Sequence, residues 1–206
     1  MTSKKYAGAV TAAIAILIWV ALDLVGGPQN HFEAATIQAI AAERLAHPWL
    51  TEVGLWASFA GSAPVTQPLL LFGAAYLVWR GQIPRAVALI AIAVSERYLV
   101  EYLKLWIGRP RPDVHFQAVA IQSLAFPSGH AANSMTAFVA VALFCAPQQH
   151  RRTALIIAVA ASVLVGLSRP LLGVHWPSDV AAGWILGFLW AVGWWRIANR
   201  FETRAA

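Results

Sequence analysis

Long apolar runs alternate with short polar breaks along the chain, and the runs recur at the length of a bilayer crossing. Residues 6–25 are mostly apolar after Lys4 and Lys5, and about twenty residues at roughly 1.5 Å each cross a hydrocarbon core. A secretory signal has the same positive start, but its apolar region is shorter and ends at a small-residue cleavage site. Here the run passes Trp19 and Leu24 into Gly26, Gly27 and Pro28, which favours a retained first span with Asp23 among the headgroups.

Residues 30–48 predict an amphipathic helix opened by Asn30 and closed before Pro48. Phe32, Thr36, Ile37, Ile40 and Leu45 fall on its apolar face and Glu33, Glu43 and Arg44 on its wet face, which places it on the membrane surface. Residues 49–59 are apolar but too short to cross alone; they predict a shallow helix leading into span two at 64–79, kinked near Pro68. Span three covers 84–106. Its second half carries Glu96, Arg97, Glu101 and Lys104. Arg97, Glu101 and Lys104 share a face, and Glu96 and Arg97 are expected to pair inside the bundle, because ionisable groups at that depth must face protein or water. A polar loop at 107–127 leads to span four at 128–146, a basic turn at 148–152, span five at 153–167 and span six at 177–197. The pattern predicts one all-α domain, a polytopic membrane protein of six transmembrane helices plus an amphipathic helix after the first span.

Composition agrees: 59% of the 206 residues are hydrophobic and 12% charged. The formal charge of +6 invites a nucleic-acid reading, yet the basic residues form no stripe along which a phosphate backbone could run, and topology accounts for them better. With the N-terminus in the cytoplasm, Lys4, Lys5, Arg80, Arg85, Arg151, Arg152, Arg196, Arg200 and Arg204 lie inside. Only Arg44, Lys104, Arg109, Arg111 and Arg169 lie outside. The single cysteine, Cys145, excludes an intrachain disulfide and suits packing. The ten tryptophans suit an interfacial belt.

Four of the five outer cations fall in three polar islands. In the first, residues 104–113, Lys104 and Arg111 can converge on one anion across a backbone stiffened by Pro110 and Pro112, or can snorkel to lipid headgroups. In the second, 126–133, Ser128 can cap span four and Gly129 lets backbone amides approach an anion at the positive end of the helix dipole, with His130 beside it. A plain cap with an interfacial histidine fits that stretch as well. In the third, 166–179, His175 stands four residues before Asp179, so one ring nitrogen can be held while the other faces substrate. Arg169 adds a permanently charged fork. By itself that trio serves a site or a capping cluster at the lipid surface equally.

Together Lys104, Arg111 and Arg169 offer three cations, beside an amide nest, two histidines and a carboxylate on one predicted side. Cations and amides suit a phosphoryl group, a buttressed histidine suits attack at phosphorus, and a second histidine suits protonation of the departing oxygen. There is no carboxylate cluster for a two-metal site, so the residues favour a mechanism without metal or other cofactor.

With these motifs the chain resembles the type 2 phosphatidic acid phosphatase superfamily of integral membrane enzymes. The family pattern is a lysine, six residues and Arg-Pro, then Pro-Ser-Gly-His, then Ser-Arg, five residues, His, three residues and Asp. It is met by Lys104, Arg111 and Pro112, by residues 127–130, and by Ser168, Arg169, His175 and Asp179. The resemblance implies that His175 is the nucleophile forming a phosphohistidine, that Asp179 orients it, and that His130 protonates the leaving group. It further implies that Lys104, Arg111, Ser128, Gly129 and Arg169 bind the phosphoryl oxygens. Arg109, Asp113 and His115 lie outside the pattern and receive no catalytic role; His31, His47 and His150 are read as interfacial. The implied function is a lipid phosphatase or pyrophosphatase at the outer face of the cytoplasmic membrane. Polyprenyl diphosphate, phosphatidylglycerophosphate and phosphatidic acid are its candidate substrates. Transfer of the phosphoryl group to a lipid alcohol, and anion binding by a transporter without chemistry, are the alternatives.

Overall fold

The computed structural model describes the backbone of residues 2–205 and the side chains of residues 11–200. Lys4, Lys5 and Arg204 of the charge argument therefore have side chains outside the described residues. Among the described residues the chain is helical throughout: α1 (Thr2–Val25), α2 (His31–Ala46), α3 (Trp49–Ala60), α4 (Ala63–Trp79), α5 (Ile83–Ile107), α6 (Gly129–Cys145), α7 (Arg151–Leu171) and α8 (Pro177–Ala205). One short 3₁₀ turn, Val114–Phe116, interrupts the loop between α5 and α6.

The helix α6 is the centre, packed against α8, α7, α4 and α5. Small residues make that possible. Ala131, Ala132, Ala137 and Ala140 are buried, and α8 answers with Gly183 and Gly187. A Cβ at Gly187 would stand 2.5 Å from the Ala132 carbonyl oxygen, so only glycine lets the two backbones approach so closely. Ser134 and Ser162 hydrogen-bond at 2.9 Å between α6 and α7, and Trp184 Nε1 of α8 donates to Ser162 O at 3.0 Å. Those bonds satisfy polar groups inside an apolar bundle.

The outside of the bundle is apolar. Leu17, Leu71, Phe72, Trp79, Leu105 and Ile157 are all exposed, the reverse of a water-facing surface. Helices α7 and α8 contain segments long and apolar enough to cross a membrane, residues 151–171 and 177–200, and residues 11–25 and 129–145 form shorter apolar helices.

Several expectations are revised. Helix α2 buries Ile37 and exposes Glu43 as expected, but Glu33 and Arg44 are buried, whereas Phe32 and Leu45 are 78% exposed. The cause lies in what the two charges reach. Glu33 accepts from Ser178 N at 2.6 Å, and Arg44 donates to Leu171 O at 2.9 Å and Phe116 O at 2.7 Å, so each satisfies main-chain groups at the ends of other elements. Asp23 faces Arg109 at 3.3 Å. Glu96 does not pair with Arg97. Its buried carboxylate accepts both bonds of the Asn133 amide, at 2.8 and 3.0 Å with the amide nitrogen turned toward it, while Arg97 is exposed. Helix α7 runs on to Leu171, which carries Arg169 in the last turn of the helix, where a cation suits the dipole.

Candidate active site

At one end of the bundle the three islands meet. Gly108 adopts the left-handed conformation (φ 69°) that ends α5 just after Lys104. Ser128 stands at the N-cap of α6, and its backbone N donates to Asp179 O at 2.9 Å, which ties the entrance of α6 to that of α8. Gly173 (φ 71°) turns the chain from α7 toward His175; a Cβ there would lie 1.9 Å from Phe116 O, so the turn admits only glycine.

His175 is 1% exposed. Its Nδ1 lies 3.3 Å from Asp179 Oδ2, which also accepts from Trp176 N at 2.9 Å. The carboxylate is thus held on the ring nitrogen it serves, and the neutral tautomer with hydrogen on Nδ1 puts the ring's lone pair on Nε2. Nε2 is 3.0 Å from Arg111 Nη1. Burial, followed by the charges of Arg111, Arg169 and Lys104 and then His130, holds the His175 imidazole well below its usual range, so the ring stays neutral. Those same four groups are the ones the islands nominated, and their fields meet at the His175 ring.

Each cation is set by its own element. Lys104 Nζ lies 3.7 Å from the position of a Cβ on Gly129, so the ammonium stands beside the first turn of α6, where amides lack carbonyl partners. Its nearest carboxylate is Glu101 at 4.0 Å. Arg111 donates to the carbonyl oxygens of Ser123, Leu124 and Val174 and to Ser123 Oγ, which pins the guanidinium beside His175. Burial lowers its pKa to about 10, with Asp179 opposing the shift. Arg169 is 2% exposed and donates to Ser58 Oγ of α3, a residue to which the sequence pattern drew no attention.

Two buried polar atoms at this end have no protein partner: Ser128 Oγ and Arg169 Nε. Such atoms are costly unless something accepts from or donates to them. A tetrahedral oxyanion between Lys104, Arg111 and Arg169 would supply acceptors to both. His130, in the first turn of α6, borders the same space. Among the described residues no three of His, Cys, Asp and Glu converge as a metal-binding group.

The pattern also passed over Arg109. It is 6% exposed and donates to Asp179 Oδ1 at 2.8 Å, on the oxygen opposite the one that meets His175. Asp113 and His115 lie out in the loop, with Asp113 capping His115 N at 3.0 Å.

Comparison with known proteins places the chain in a family. A family model described as the PAP2 superfamily matches residues 85–202. The chain is 33% identical over 154 residues to phosphatidylglycerophosphatase B of Bacillus subtilis, spanning 72% of this chain and 75% of that protein. It is 26% identical over 200 residues to undecaprenyl-diphosphatase of Sulfolobus acidocaldarius, spanning 89% and 87%. The crystal structure of a transmembrane PAP2 type phosphatidylglycerolphosphate phosphatase from Bacillus subtilis superposes with a TM-score of 0.79 at 28% identity, over 95% of this chain and 97% of that one.

Proposed function

The chain belongs to the PAP2 superfamily, and from that premise we propose that it hydrolyses the terminal phosphate of a membrane lipid phosphate or diphosphate through a phosphohistidine at His175. The observation that carries this reading is the two-sided setting of one imidazole: Asp179 Oδ2 on Nδ1, and Arg111 on Nε2 with the charges of Arg169 and Lys104 also bearing on the ring. Three cations match the charge that gathers on phosphoryl oxygens in the transition state.

In the proposed sequence, His175 Nε2 attacks phosphorus, the bond from phosphorus to the lipid oxygen breaks, and that oxygen takes a proton from His130. The three cations, Ser128 Oγ and the Gly129 amide hold the phosphoryl oxygens. Asp179 keeps its hydrogen bond to Nδ1 and balances the positive charge that develops on the ring. A water then attacks the phosphohistidine with His130 taking its proton, the P–N bond breaks, and inorganic phosphate leaves. Both relatives named above act, by their names, on lipids that end in phosphate. We therefore take polyprenyl diphosphate, phosphatidylglycerophosphate and phosphatidic acid as the substrates to test.

For the membrane arrangement we propose six crossings, by α1, α4, α5, α6, α7 and α8. At roughly 1.5 Å per residue the seventeen residues of α4 or α6 reach about 26 Å, close to a hydrocarbon core, whereas the twelve of α3 do not. Helices α2 and α3 then roof the pocket. Arg80, Arg85, Arg151, Arg152 and Arg196 fall at the opposite end, so the pocket opens on the extracytoplasmic face of the cytoplasmic membrane. The test is release of inorganic phosphate from purified protein and a panel of lipid phosphates and diphosphates, with a chelator present. The proposal predicts turnover of at least one substrate and its loss in His175→Gln; turnover by that variant at the parent rate would refute it.

A further inference from the structure

Asp179 has a second oxygen, and Arg109, which holds it, is anchored by residues that lie before the segment 85–202 that matches the family. Oδ2 is shared by His175 Nδ1 and Trp176 N, and Oδ1 accepts from Arg109 Nη1 at 2.8 Å. Arg109 is itself fixed by acceptors on α1: Leu22 O at 3.0 Å, Asp23 O at 2.7 Å and Asp23 Oδ1 at 3.3 Å. The guanidinium lies over the Phe126 ring, 4.2 Å from its centroid. Arg109 Nη1 also donates to Ser178 Oγ at 2.8 Å. Ser178 in turn gives its backbone N to Glu33 Oε1 at 2.6 Å and its hydroxyl to Glu33 Oε2 at 2.9 Å, and Glu33 Oε2 takes Gly27 N at 2.6 Å as well. The turn after α1 is moulded to this chain of bonds. A Cβ on Gly26 would stand 2.0 Å from Ser178 Oγ, and Gly27 sits at φ 96° beside the Arg109 side chain.

We infer that Arg109, gripped by Asp23 of α1 and braced through Ser178 by Glu33 of α2, is the positioning residue that aims Asp179 at His175. The N-terminal helices thereby complete the active site. Two physical reasons support this. A carboxylate with no solvent exposure stays ionised only beside a compensating cation, and His175 cannot be that cation, because it has to remain neutral to attack. Lys104 and Arg111 act on Asp179 through space and Glu33 opposes them, but among these only Arg109 bonds to it. Secondly, a carboxylate held by one oxygen can swing, whereas one held at both cannot, and the direction of the hydrogen bond to Nδ1 sets the direction of Nε2. Arg109 touches neither the phosphoryl pocket nor the leaving group, so its effect reaches the reaction through Asp179.

The inference rests on the proposed phosphatase chemistry, and the experiment separates the two. Steady-state kinetics on a turned-over lipid phosphate are measured for Arg109→Gln, Arg109→Lys, Glu33→Gln, Asp179→Asn, the double variant Arg109→Gln/Asp179→Asn and His175→Gln. Inhibition by orthovanadate reports the phosphate pocket, and thermal unfolding reports folding. We predict that Arg109→Gln lowers kcat by about 100-fold, while KM and the vanadate inhibition constant move by less than about threefold. Arg109→Lys, which keeps the charge and loses the fork, should recover kcat to within about tenfold of the parent. Glu33→Gln tests the brace without touching the ion pair and should lower kcat by about tenfold at unchanged KM. Because Arg109 acts through Asp179, the double variant should fall no more than about threefold below Asp179→Asn alone. Equal losses in vanadate binding and kcat, or a double variant that shows the full product of both losses, would overturn the inference, as would parent-level kcat in Arg109→Gln. If Arg109→Gln does not fold, the Lys and Glu33 variants decide it by the same criteria. Parent-level turnover by His175→Gln would instead overturn the phosphatase reading itself.

Discussion

The two ends of the helix bundle use the same residue type in opposite ways. At the end that holds His175, Arg109 and Arg169 are buried and Arg111 is held by three main-chain carbonyls, and each guanidinium has a set direction. At the other end Arg80 and Arg152 are exposed, Arg80 donating to the hydroxyl of Tyr76, one turn away, at 2.9 Å, and of the cations there Arg85 is half-buried and donates to Asn199 Oδ1 at 3.3 Å. The sequence makes all of them look alike. What separates them is desolvation: a buried cation must find acceptors or an anion, so it becomes an oriented tool, whereas an exposed one is solvated and sets topology. Charge at the first end should therefore be unforgiving, and charge at the second replaceable.

The largest effect should come from removing a pocket cation. Arg169→Gln and Arg111→Gln are each expected to lower kcat/KM by about 10²- to 10³-fold, measured as phosphate release, because each withdraws an oriented donor from the transition state. Arg111 also yields a pH test. It is charged below its pKa of about 10 and loses that charge as pH rises through it. Orthovanadate binding should therefore weaken above about pH 10, and Arg111→Lys should displace that limb. Protonation of His175 should not impose an acid limb near neutrality, since burial keeps the ring neutral well below its ordinary range.

Next in size is a stability effect. Arg44→Leu leaves the carbonyls of Leu171 and Phe116 without a donor inside the roof of the pocket, at a cost of about 2–3 kcal/mol, read from thermal unfolding in detergent. At the far end, Arg152→Gln should change phosphate release by less than about twofold. A large loss there would erase the contrast between the two ends.

Whatever is local was legible from the residues alone. Apolar runs located the helices, because length and hydropathy are properties of one segment, and the three islands named Lys104, Arg111, Ser128, Gly129, His130, Arg169, His175 and Asp179 as candidates that the fold brings to one end. Illegible were the contacts made across the chain. Glu33 and Arg44 read as the wet face of α2 because a buried charge and a solvated one are the same letter; only their partners, 145 and 127 residues away, turn them inward. Arg109 sits two residues before Arg111, yet its carboxylate lies 70 residues on, beyond any local pattern. Glu96 was expected to find its neighbour Arg97, but the amide of Asn133 on the central helix lies closer to its face. In each case the missing information was which distant group comes within reach of the charge, a property of the assembled bundle.

The central claim is that His175 Nε2 takes the phosphoryl group. Rapid acid-free quenching of protein mixed with a lipid phosphate labelled at its terminal phosphorus, followed by peptide mapping, tests it directly. The account predicts an acid-labile, base-stable label on His175, built up during the first turnover and missing from His175→Gln. Phosphate release at full rate with no label on His175 at any time, or with the label on another residue, would contradict it.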